Sequence, residues 1–106
     1  MKLMIVVRYG ASDSVRLYTT MQEKYPAALK GGKAKDFDVE QSWVTLENGT
    51  FYIVVDAKDS LQVYDLCWEI RHAGDSITVQ VFPVMPSERI TKLEYPGGLG
   101  SGSGGG

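Results

Sequence analysis

Among the residue types that do chemistry, the 106-residue sequence holds one histidine, His72, and one cysteine, Cys67. A lone histidine can serve as a general base. His72 falls in the last turn of an expected helix, where a donor meets free carbonyls favourably, and that structural role is the simpler reading. Cys67 lies mid-helix between Leu66 and Trp68 with no obvious basic partner, so it reads as a small buried apolar residue and not as a nucleophile. One His and one Cys make no zinc site without carboxylates converging from elsewhere, and the spacing brings none. No metal, no other cofactor and no catalytic motif is expected. The segment Lys30-Gly31-Gly32-Lys33-Ala34-Lys35 invites a phosphate-binding reading. It lacks the earlier Gly and the Ser or Thr after the Lys that a P-loop needs, and reads as a solvated connecting loop. The aromatic set carries more. Tyr9, Trp43, Tyr52, Tyr64 and Trp68, with His72 beside them, are the candidate ligand-binding residues, because an apolar cavity with a few polar tips suits small organic molecules. Ordinary core and interface packing explains the same residues.

These side chains need a scaffold, and composition bounds it. A net charge of −2 with no basic stripe argues against a nucleic-acid partner. The longest apolar run, residues 3–7, is too short to span a bilayer, so no membrane is expected. The same run resembles a signal peptide but is broken by Arg8 with no cleavage site after it, which favours a strand. A single cysteine excludes an internal disulfide and suits a reducing, cytoplasmic setting. After Pro96 the chain is Gly and Ser apart from Leu99, and holds seven of the twelve glycines. Such a run has too little apolar surface to offset its ordering entropy. The expected organisation is therefore one domain over residues 1–95 and a flexible tail or linker over 96–106.

Within the domain, residues 3–9 are β-branched and apolar on both faces, as in a central strand. Ser12 or Asp13 offers a cap to a helix carrying Val15, Tyr18, Met21 and Tyr25 at helical spacing, stopped by Pro26 and by Gly31-Gly32. Asn48-Gly49 between two strand-like runs predicts a two-residue hairpin, pairing Val44 with Ile53 and Leu46 with Phe51. Asp59 and Gln62 start a second helix whose two adjacent stripes, Leu61/Tyr64/Trp68 and Val63/Leu66/Cys67/Ile70, predict a broad buried face. Gly74 is expected at a left-handed C-cap. Residues 77–82 form the last strand.

The order β-α-β-β-α-β with right-handed crossovers predicts an α+β, ferredoxin-like sandwich: a four-stranded antiparallel sheet with two helices on one face. The helix-free face would show Met4, Val6, Arg8, Trp43, Tyr52, Val54 and Phe82, more apolar surface than a small monomer leaves in water. A homodimer through that face is the expected partner arrangement. The landmarks Trp43, Val55-Asp56-Ala57, Tyr64 with Trp68, and Phe82-Pro83-Val84 resemble a family of small bacterial proteins known only as a domain of unknown function (3303-like), over about residues 1–85. The resemblance implies the dimeric α/β-barrel group of ferredoxin-like folds. In that group some members are cofactor-independent monooxygenases or isomerases and others degrade haem. Two functions follow as expectations: a homodimeric binding or structural module for a small apolar ligand or a protein, or a metal-free barrel enzyme acting on an apolar or aromatic substrate.

Overall fold

The computed structural model describes residues 1–45 and 47–92. Leu46 and the glycine-rich segment from Pro96 onward lie outside them. The protein is α+β, with a five-stranded antiparallel sheet in the order β2-β3-β4-β1-β5. The strands are β1 (Lys2–Arg8), β2 (Gly32–Lys33), β3 (Asp38–Val44), β4 (Thr50–Asp56) and β5 (Thr78–Val84). The helices are α1 (Ser14–Lys24), α2 (Ala27–Lys30) and α3 (Tyr64–Arg71). Short 3-10 turns lead into α1 and α3, and a third, Ser87–Lys92, follows β5. No helix among the described residues is long and apolar enough to cross a membrane.

Strand β1 lies between β4 and β5, as its apolar character predicts for a central strand, with one face toward the helices and the other on the helix-free side. Leu3, Ile5 and Val7 point into the core with Ile53 and Val55 of β4, all at most 2 % exposed. Leu17 and Met21 of α1 and Leu66 and Ile70 of α3, each pair four residues apart, close over them. Full burial of each such side chain stabilises by about 1.5–3 kcal/mol. All three helices bury their apolar residues in this one cluster, so the opposite sheet face is left to Met4, Val6, Arg8, Trp43, Tyr52, Val54, Gln80 and Phe82. There Arg8 donates to Gln80 at 3.0 Å, and Lys2 meets Glu40 at 2.6 Å.

Several expectations need correction. The sheet has five strands, not four. Gly31 and Gly32, at φ +83° and +108°, turn the chain after α2 so that Gly32–Lys33 pairs with Val39 and Asp38. The supposed solvated loop thus contributes an edge strand. The hairpin is not a two-residue turn. Val44 pairs with Phe51, and the Thr45 amide donates to the Thr50 carbonyl at 2.9 Å, leaving residues 46–49 between them. The Thr50 amide also donates to the Thr45 hydroxyl, whose own partner is the Asn48 side chain. Only Gly49 takes positive φ, so a type I′ turn with two such residues does not form. The register moves by two residues, which keeps every side chain on its expected face. A bulge at Glu40 then restores the pairing of Val39 with Val55.

Only one of the two stripes on α3 is buried. Val63, Leu66 and Ile70 face the sheet, while Leu61, Tyr64 and Trp68 face outward. On α1 the same sorting leaves Val15 and Tyr18 exposed, while Met21 is buried as expected, together with Leu17. Asp59 caps the turn before α3 as expected, accepting from the Leu61 amide at 3.0 Å. Gln62 reaches back one residue further, accepting from the Lys58 amide at 2.6 Å.

Candidate functional site

The N-terminus of α1 is pinned by a buried carboxylate. Asp13 sits at the cap position but makes no capping bond to its own helix. Its Oδ2 accepts instead from the backbone amide of Ser76, at 2.7 Å, and from the Ser76 hydroxyl. That hydroxyl in turn accepts from the Gly10 amide at 2.9 Å, and Arg16 reaches the other carboxylate oxygen at 3.2 Å. The Ser76 hydroxyl and amide hold the Asp13 carboxyl below the usual carboxylate range, against the opposing effect of burial. Gly74 has no left-handed backbone; a Cβ there would fall 2.4 Å from the Asp13 carboxyl carbon. It is glycine because the carboxylate passes over it, not because it caps α3. This latch joins the start of α1 to the loop before β5.

With α1 so fixed, a cleft of about 550 Å³ opens between it and β3, on the helix side of the sheet. Tyr9 and Phe51 meet at its base, ring centroids 5.9 Å apart and tilted by 38°. Tyr9 is held there because its amide donates to the Gly49 carbonyl at 3.0 Å. Ser14 and Tyr18 of α1 form one wall, Leu29 and Lys30 of α2 the rim, and residues 42–44 of β3 the other wall. The lining is mostly aromatic and aliphatic, with hydroxyls and a single ammonium as its polar groups.

The six candidate residues do not converge. Tyr9 lines the cleft; Trp43 borders it from β3, with its side chain on the opposite sheet face. Tyr52 lies on the opposite sheet face beside Val6 and Trp43. Tyr64, Trp68 and His72 lie along the outer side of α3 and its C-terminus. The His72 ring stacks on Trp68 with centroids 4.0 Å apart, and its Nδ1 donates to the Trp68 carbonyl at 2.8 Å. His72 thus satisfies a C-terminal carbonyl, as its position suggests. It borders a separate, shallower groove of about 360 Å³ beside Arg16, Lys24 and Glu69, where Lys24 and Glu69 pair at 2.9 Å. Cys67 is mostly enclosed; burial pushes its thiol up to about 11, only weakly opposed by Arg71, so it stays protonated at neutral pH.

Sequence reasoning missed Ser14, Tyr18, Leu29 and Lys30 as cleft residues, and the Asp13–Ser76 bond altogether. Tyr18 read as part of the apolar stripe of α1, and the pairing of residues 63 positions apart carried no signal. The profile of a family described as "Domain of unknown function (DUF3303)" matches residues 1–98. No curated protein matches the chain.

Proposed function

The chain belongs to that family of unknown function, and from this footing we propose that it is a homodimeric binding module that takes a small, largely apolar ligand into the cleft between α1 and β3. The observation that carries the reading is the cleft itself. Its volume lies within the range of small-molecule sites, and Tyr9, Tyr18 and Phe51 supply flat apolar walls with polar tips. The alternative, a metal-free barrel enzyme, called for His72 or Arg8 beside tyrosines in one cavity. His72 borders another groove, and Arg8 belongs to the opposite sheet face.

We read the order β3-β4-β1-β5 as ferredoxin-like, and the dimer as the face-to-face type of the α/β-barrel group. Support comes from the helix-free face, where Trp43 and Phe82 are 51 % and 44 % exposed beside Met4, Tyr52 and Val54. A face of four strands buries on the order of 800 Å² per chain, enough for a stable pair. We further propose a cytoplasmic setting.

Nuclear magnetic resonance titration with 2-naphthamide tests the binding reading. Shifts are expected at Tyr9, Tyr18, Leu29 and residues 42–44; shifts confined to Trp68 and His72, or none at all, would overturn it. Light scattering at tens of micromolar tests the dimer. The parent should have twice the chain mass, and Phe82→Lys, outside the cleft, should halve it; a monomeric parent ends the dimer reading.

A further inference from the structure

We infer that the ligand of this cleft is an anion: a planar apolar body carrying one carboxylate or similar acidic group, met by the Lys30 ammonium. The inference rests on the binding reading above and names the ligand's chemistry. Among the described residues Lys30 is the one charged residue lining the cleft, and no Asp or Glu lines it. Three other lysines are committed, Lys2 to Glu40, Lys24 to Glu69 and Lys33 to Asp38. Lys30 has no carboxylate within 4.0 Å among the described residues. It stands at the end of α2, just before the left-handed Gly31, so the backbone fixes where its side chain starts.

The hydroxyl groups fit the same ligand. The Tyr9 and Tyr18 hydroxyls have no hydrogen-bond partner among the described residues, and each is able to donate to an acidic oxygen. A cation and hydroxyl donors among aromatic walls match a flat molecule with an acidic end. Long-range attraction is not the cause, because the chain carries a net charge of −2. Any preference for an anion must arise locally, from Lys30, and must be screened by salt as exposed charge pairs are.

Two probes of the same shape separate the possibilities: 2-naphthoate, charged at neutral pH, and 2-naphthamide, neutral. Their affinities are compared by resonance titration of the full chain in low salt. The carboxylate is expected to bind about fivefold more tightly or better, the scale of one partly exposed charge pair. Lys30→Met should bring the two affinities together, by weakening the carboxylate relative to the amide. Lys33→Met, which removes a lysine outside the cleft, should keep the preference. Equal affinities in the parent, or a preference that survives Lys30→Met, overturn the inference while leaving the binding reading in place. Failure of both probes to shift the cleft resonances overturns both.

Discussion

Replacing Gly74 by alanine adds one methyl group against the Asp13 carboxylate. The new Cβ would lie 2.4 Å from the carboxyl carbon and 2.5 and 2.8 Å from its two oxygens. Non-bonded carbon atoms rest at about 3.5–4.0 Å, so the carboxylate must retreat by about 1 Å. That displacement pulls it away from the Ser76 amide, now 2.7 Å distant. Overpacking of this kind costs about 1–3 kcal/mol, and leaving the Ser76 amide without its acceptor costs about 1 kcal/mol more. The backbone at Gly74 is not left-handed, so alanine itself is tolerated there and recovers about 0.4–1 kcal/mol by restricting the unfolded chain. The clash wins, and the net expectation is destabilisation by about 2–3 kcal/mol. In a domain of this size that lowers the melting temperature by about 10–20 °C. Urea unfolding followed by circular dichroism, at one protein concentration, measures it. The same substitution in an Asp13→Ala background should cost much less, because the obstacle is gone. A Gly74→Ala variant as stable as its parent, or a cost unchanged when Asp13 is absent, would refute the account of the latch.

Gly49→Ala should destabilise the fold by about 2–4 kcal/mol in the same assay, since it forces a side chain onto φ +59° and places a Cβ 2.4 Å from the Tyr9 carbonyl oxygen; a neutral result would mean that the turn is misread. The folded Asp13 carboxyl titrates below the 3.8 ordinary for an aspartate, so the stability it contributes is present above that value and is lost as the pH falls through the folded one. Asp13→Asn should therefore flatten the acid limb of the stability–pH curve, and an unchanged slope would show that Asp13 is not responsible. Cys67, with its thiol pushed up to about 11, should react with iodoacetamide at pH 8 on the order of 100-fold more slowly than a free cysteine; a rate near that of the free thiol would place it outside the core.

The sequence exposes what periodicity governs. Leu3, Ile5 and Val7 alternate, and their burial against Ile53 and Val55 follows from that alone. Even the wrong hairpin register left these faces intact, because a slip of two residues preserves side-chain direction. Local turn chemistry was harder to weigh. Asn48-Gly49 suits a tight turn, yet the side chains of Thr45 and Asn48 bond each other and widen the loop. Two apolar stripes on α3 competed for one sheet, and the aliphatic one took the interior while the aromatic one was left outside. The candidate site was half legible. Tyr9 and Trp43 both border the cleft, but Lys30 belonged to a segment that read as mere loop, and its glycines become meaningful only once they place α2 against β3.

The two margins of the sheet differ from its faces in what they offer to other chains. On one side β2 is only two residues long and carries Lys33, so a neighbouring strand finds little to pair with. On the other, β5 carries Pro83 opposite Leu3, a residue without an amide hydrogen in the outermost strand. Both devices discourage a runaway ladder of chains joined edge to edge. Past the end of β2, residues 41–44 of β3 have no partner strand on their outer side among the described residues, and the bulge at Glu40 bends that stretch away from a flat template. What this sheet exposes of its apolar surface is therefore broad and finite instead of linear and repeatable.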